Sequence, residues 1–181
     1  FGHKIVPYCP RCGTALSSHE LAQGYEDVVD QAVYVRFKVK GEEDTYFAAW
    51  TTTPWTLPSN VALAVAEEAE YVLIEHEGEK YYLARALLDN LYEEDSYQIL
   101  KTLKGSDLVG LHYEPIFDYG LKQVEAMGKE AYYVIPGDFV TMDDGTGIVH
   151  IAPAFGEDDA RVGRQHNLPF VQLVDDEGNL L

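Results

Sequence analysis

The sequence predicts a mainly β fold: a closed or nearly closed β-barrel with peripheral α-helices. Three observations lead there. Short stretches of alternating apolar and polar residues recur along the chain, turns rich in glycine and acid separate them, and helical periodicity is confined to two places. No strand–helix–strand rhythm runs through the sequence, which argues against a parallel α/β sheet.

The elements follow in order. Residues 8–24 form a knuckle and connector, with C-P-R-C-G at 9–13 as a tight turn. Ser17 and Glu20 have the spacing of a capping box, in which Ser17 caps a short helix and Glu20 reaches back to it. A Ser17–His19–Glu20 catalytic triad is the sharper reading, but sequence neighbours seldom converge as a triad does. From Val29 onward strands dominate. Val33, Val35, Phe37 and Val39 alternate with Tyr34, Arg36 and Lys38, as on a half-buried strand. A turn at 41–44 leads into a returning strand over 46–53. Residues 71–76 and 80–84 make a second hairpin around Glu77-Gly78-Glu79, 85–94 is helical and 97–103 is another strand. Strands at 139–142 and 148–152 flank D-D-G-T-G at 143–147. A helix over 157–166 and a strand over 170–174 complete the chain. The expected division is a knuckle at 1–24 and a barrel domain at 25–181.

Composition narrows the classes. A chain of 181 residues, 46% hydrophobic and 12% aromatic, fills the core of one domain with a small appendage. No apolar run approaches the ~20 residues of a membrane span, and no signal peptide is visible. The net charge of −18 argues against a self-sufficient nucleic-acid binder, since neutralising phosphate takes clustered Lys and Arg. Cys9 and Cys12 are the only cysteines, too few for a disulfide framework, so a reducing, cytoplasmic setting is expected. The chain begins at Phe1 rather than Met, and a piece of a longer protein is expected.

Two motifs carry chemistry. The first is W-T-T-T-P-W-T-L-P-S-N at 50–60. On an extended strand Thr51 and Thr53 share a face and Thr52 points the other way, and Pro54 holds Thr53 extended. This is either a pair of functional hydroxyls at a strand end or a run chosen for β-propensity. The second is G-T-G-I-V-H-I-A-P-A-F-G-E-D-D at 145–159. Taken alone, His150 is a satisfied core histidine, and the acidic run suits a helix N-terminus without any function. The Cys9/Cys12 pair is half of a tetrahedral zinc site, and none of His3, His19 or His76 sits at a convincing spacing to complete it.

Together, these two motifs and K-G-S-D-L-V-G-L-H-Y-E-P-I-F at 104–117 resemble the editing domain of the isoleucyl-tRNA synthetases, over nearly the whole chain and in the family's order. The valyl and leucyl editing domains carry arginine where this chain has Thr53 and lack the W-T-L-P that follows, so the resemblance points to the isoleucyl branch. It implies a β-barrel inserted in a class I synthetase that hydrolyses valine misattached to the isoleucine tRNA.

The resemblance also implies roles. Trp50, Thr51, Thr53 and His150 would surround the substrate side chain, with Thr51 and Thr53 bonding to ester, ribose or water. Asp159 would hold the α-ammonium. Thr52 and Asn60 belong to the motif, Asn60 to orient the loop or the terminal adenosine. His150 is expected as a pocket wall, with general base as the alternative. No covalent nucleophile is evident, so a positioned water is expected, with polar groups stabilising the oxyanion. Editing itself needs no cofactor. Zinc in the full-length enzyme would bind Cys9 and Cys12 plus a distal CxxC pair beyond Leu181, leaving a half-site here. The expected partners are the 3′ end of the isoleucine tRNA carrying valine and the rest of the parent synthetase, with no membrane. The rival expectations are a non-catalytic β-barrel that binds tRNA or protein, a valyl-type editor that removes threonine, and a zinc-ribbon structural domain.

Overall fold

A computed structural model describes residues 5–9, 11–26, 31–175 and 178–181. His3 and Val29, singled out above, lie outside the described residues. The knuckle is a hairpin of two short strands, β1 (Tyr8–Cys9) and β2 (Thr14–Ala15), which closes through Gly13 at φ +65°. Helix α1 (Ser18–Ala22) follows, and its capping box is formed. The Ser17 hydroxyl accepts from the Glu20 amide, and the Glu20 carboxylate accepts from the Ser17 amide.

The rest is built on one eight-stranded sheet. Its strands are β3 (Val33–Lys38), β4 (Thr45–Thr51), β5 (Ala62–Val65), β6 (Glu70–His76), β7 (Glu79–Ala84), β8 (Gln98–Lys104), β9 (Tyr133–Pro136) and β10 (Ile148–Ile151). Hydrogen bonding orders them β8-β6-β7-β4-β10-β5-β9, with β3 paired to β4 alone. β4 holds the curl together. Its first half runs parallel to β7 and its end parallel to β10, through Trp50 opposite Val149.

The fold is mainly β with few helices, and the sheet is strongly curled without closing fully. Between β9 and β3 there is no full strand pair. Residues 111–114 span that seam by single bridges, His112 to Tyr133 and Tyr113 to Val39. The closed form of the expected barrel is therefore not reached: residues 105–111, ahead of the bridges, are a short helix and turn rather than a strand.

The β6–β7 hairpin forms around Glu77 (φ +52°) and Gly78 (φ +85°), the two left-handed positions of a type I′ turn. The 85–94 region is shorter than expected, a 3₁₀ turn at Arg85–Leu87 and then helix α2 (Leu88–Leu91). Short helices α3 (Gly105–Leu108) and α4 (Leu121–Met127) precede β9. Residues 139–142 are not a strand, because they lie in the turn that starts at Gly137, packed between Ala64 and Val140. Nor do residues 170–174 form one; only Val174 bridges, to Leu180. Among the described residues, helix α5 (Glu157–Gln165) is the last helix or strand.

Three buried clusters hold these layers, the smallest of them Val72, Ile74, Leu83 and Leu88. Inside the curl, Phe37, Phe47, Tyr71, Leu63, Tyr113 and Ile148 are fully or almost fully buried. Behind β5, β9 and β10, Val61, Ala64, Ile135, Val162, Leu168 and Val171 seat α5 against the sheet. This second core fixes where α5 begins, and hence where Asp159 stands.

Candidate functional site

The threonine motif starts on a strand and leaves it. β4 ends at Thr51, whose side chain faces inward and is buried. Thr53 has φ −121° and ψ 64°, and a 3₁₀ turn at Pro54–Ser59 follows, with Pro54 where its missing amide costs nothing. The hydroxyls of Thr51 and Thr53 lie 3.4 Å apart, and the Thr53 amide donates to Thr51 Oγ1 at 3.1 Å. They meet as expected, but through a turn rather than through the strand pleat. Thr52 is exposed.

Thr56 joins this loop to β10, a link the sequence reading missed. Its hydroxyl donates to the Thr53 carbonyl at 2.8 Å and lies 3.0 Å from His150 Nε2. A hydroxyl has one proton, so His150 Nε2–H must donate to Thr56, and Nδ1 then carries the lone pair. His150 Nδ1 is buried without a partner. Burial lowers the His150 pKa to about 4, so the ring is neutral at pH 7. The parallel register of Trp50 against Val149 sets His150 beside Thr51 on the inner face.

Asp159 stands one short turn further on. Gly156 caps α5 in extended conformation, and a side chain there would sit 3.0 Å from the Asp159 carboxyl. The glycine lets Asp159 fold back and accept the Ala152 amide at 3.2 Å, two residues beyond His150. Burial raises the Asp159 pKa to about 6, against the lowering effect of that amide and with a further push from Asp158. Among the described residues no cation pairs with it. A half-buried carboxylate without a counterion favours a cationic ligand.

Trp55 and Phe155, 5.3 Å apart edge to face, tie the threonine loop to the turn before α5. Asn60 is buried, donating to the Ala62 carbonyl at 2.9 Å and accepting from the Tyr113 hydroxyl at 2.6 Å. Both ends of its amide are used, so it braces the loop. Trp50 stands apart from the hydroxyls. It faces the outer side of β4, over Gly145, whose added Cβ would lie 3.0 Å from the indole.

The fold therefore brings Thr51, Thr53, Thr56, His150 and Asp159 to one end of the β4–β10 pair. It puts Trp50 on the other face, Thr52 in solvent and Asn60 in a structural bond. Cavities of ≈ 500 Å³ and ≈ 420 Å³ flank α5, but no candidate residue lines them and they contain no buried ionisable side chain. Chemistry, not cavity size, marks the site.

Cys9 and Cys12 are exposed or half-exposed on the β1–β2 hairpin. Hydrogen bonds from Cys12 lower the Cys9 pKa, and sharing with Cys9 raises that of Cys12. The pair suits two thiolate ligands. Among the described residues no group of three or more His, Cys, Asp or Glu converges on a metal position.

The curled sheet and the placing of its loops define a class. The editing domain of a P. knowlesi cytosolic leucyl-tRNA synthetase aligns with a TM-score of 0.61 over 80% of this chain and 66% of that chain, at 15% identity. A P. falciparum leucyl-tRNA synthetase editing domain aligns at 0.54 over 68% and 47%, with 19% identity. The fold is that of the synthetase editing domains. Sequence then fixes the branch. An isoleucine–tRNA ligase of Clostridium acetobutylicum is 56% identical over 180 residues, 99% of this chain and 17% of the relative. One of Thermoplasma volcanium is 51% identical over 176 residues, 97% of this chain and 16% of that one. The chain is homologous to a segment of the isoleucine–tRNA ligases and spans about a sixth of the length of the curated relatives it matches. No family model matches it. No described helix is long and apolar enough to cross a membrane.

Proposed function

We propose that this chain hydrolyses valine from misacylated isoleucine tRNA, as the editing segment of an isoleucine–tRNA ligase. The observation that carries the reading is the Asp159 carboxylate, which has no cation among the described residues and is held by the Ala152 amide two residues beyond a neutral His150 whose Nδ1 has no partner. An aminoacyl ester brings an ammonium for the carboxylate and a compact apolar side chain for the imidazole wall.

The need for such a step is energetic. One methylene gives a synthetic site only ~1–3 kcal/mol of discrimination, a limit for which isoleucine against valine is the established example rather than a result of this structure. A second site that valine fills rejects isoleucine by clash. Water attacks the ester carbonyl, the Thr51 and Thr53 hydroxyls orient water and ribose, and loop amides stabilise the oxyanion. A histidine held at about 4 is a weak base at pH 7, which supports His150 as wall rather than base. Thr52 and Asn60 act through the loop, Asn60 by bracing it, and Trp50 acts from the outer face.

The proposed partners are the tRNA 3′ end and the rest of the parent synthetase, in the cytoplasm, and residues 1–24 form a knuckle separate from the barrel at 25–181. Editing takes no cofactor. In the longer protein, zinc would be held by Cys9, Cys12 and a distal pair.

The test is deacylation of valine-charged and isoleucine-charged isoleucine tRNA, with Asp159→Ala alongside. The expected result is loss of valine, sparing of isoleucine and an inactive variant. Equal loss of both amino acids would overturn the size sieve. Binding without hydrolysis, in this chain and in the full-length enzyme, would favour a non-catalytic tRNA-binding barrel.

A further inference from the structure

We propose that the outer face of β3 and β4 is a stacking platform for the unpaired nucleotides that precede the 3′-terminal residue of an RNA. The proposal rests on the reading that this chain handles an RNA 3′ end, and it assigns the surface over which that strand runs.

The face is built by register. Tyr34 lies opposite Trp50, Arg36 opposite Ala48 and Lys38 opposite Tyr46. The alternate residues Val35, Phe37, Phe47 and Ala49 turn into the core, so the first six share the outer side. Ala48 and Tyr81 pack against the buried Val72, Ile74, Leu83 and Leu88, but core packing does not account for Tyr34 or Arg36. Tyr34 is 59% exposed near the start of β3. The Arg36 guanidinium lies over the Tyr46 ring, 4.9 Å from its centroid, and Glu79 fixes it from the side at 2.6 Å. Tyr46 in turn stacks on Tyr81 at 5.8 Å and 28°. Ala48 puts no ring between Trp50 and Tyr46 on β4, and Arg36 stands opposite it on β3. Same-face residues recur every ~6.8 Å along a strand, so Trp50 and Tyr46 stand ~13–14 Å apart, with the Arg36 guanidinium in the row between them.

Unpaired bases stack on aromatic rings and on guanidinium planes, and such contacts tolerate any sequence. Charge permits the same partner. On a chain of net charge −18, this face presents two cations with exposed side chains, Arg36 and Lys38, each met by a carboxylate, Glu79 and Glu114. Lys38 meets Glu114 only at 3.8 Å. Position allows the path, since Trp50 precedes Thr51 at the end of β4, so a strand leaving the inner site would cross that end of the sheet to reach the outer face.

The experiment titrates isotope-labelled chain with an uncharged single-stranded RNA hexanucleotide that ends in CCA, following backbone amide shifts. Shifts are expected in residues 33–38 and 45–51. Tyr34→Ala and Arg36→Ala should each weaken binding about tenfold, Tyr34→Phe should restore it, and Tyr119→Ala, on the other exposed aromatic pair, should leave it unchanged. With two cations, the slope of log K against log salt should be no steeper than about −1.4. A second arm compares valyl-adenosine with the valylated hexanucleotide: Tyr34→Ala should slow the hexanucleotide about tenfold in kcat/KM and spare the adenosine ester. Absent shifts, shifts confined to 117–119, or full binding by Tyr34→Ala would each overturn the platform. If neither ester is hydrolysed, the hydrolytic reading fails while the uncharged RNA still decides this one.

Discussion

Replacing Asp159 by asparagine should abolish function and yet stabilise the protein. The carboxyl is buried, so its pKa rises from 3.8 to about 6. The folded state then holds a proton that the unfolded state releases between these two values. Stability is therefore lost as pH rises through the folded pKa, and a lift of this size corresponds to about 3 kcal/mol. Part of the residue meets solvent, which reduces the expected effect to about 1–3 kcal/mol. Asparagine keeps the acceptor for the Ala152 amide but has no charge to desolvate. The assay is urea denaturation of both proteins at intervals from pH 4 to pH 8. His150 titrates in the same window with the opposite sign, because its folded pKa is depressed and its contribution is lost as pH falls. It is present in both proteins and cancels in the difference. The advantage of Asp159→Asn should be near zero at pH 4 and full by pH 7. A difference that does not change with pH, or an asparagine variant less stable at pH 7, would refute the reasoning.

Three further outcomes are expected. Thr56→Val leaves the His150 Nε2–H buried without an acceptor, so it should cost about 1–3 kcal/mol in urea denaturation, while Thr56→Ser should stay near the parent. Gly147→Ala sets a Cβ 2.4 Å from that of Ala84 at φ +72°, and clash with left-handed strain should lower stability by about 2–4 kcal/mol. Metal analysis of the chain should find well under one zinc per molecule, and Cys9→Ser should leave its melting temperature unchanged; stoichiometric tight zinc would overturn the half-site.

Legibility followed local chemistry. The Ser17 cap, the Glu77–Gly78 turn and α5 were visible because each is specified by neighbours a few residues apart. β5 and β9 were not. Ala62–Val65 is buried throughout, covered on both sides, so no period-two alternation marks it. The 139–142 and 170–174 stretches are apolar and strand-like, but tertiary packing draws them into turns. At the site, residue types alone raised Thr51 and Thr53 as candidates, and it was the resemblance carried by the two motifs that flagged His150 and Asp159. The Thr56–His150 bond was hidden because it depends on a parallel register between distant strands. The orientation of Trp50 was hidden too: strand alternation separates it from Thr51, but only the structure tells which of the two points inward.

The pairing of β4 with β10 has a consequence for how the domain is made. Thr56 and His150 are 94 residues apart, and Asp159 comes later still. A chain growing from the ribosome completes its threonine loop long before the imidazole and carboxylate exist to meet it. Closing so large a loop is slow compared with hairpin formation. Nascent and half-folded chains thus carry the hydroxyls without their counterparts. Whatever chemistry these groups perform begins only when the last quarter of the sequence docks.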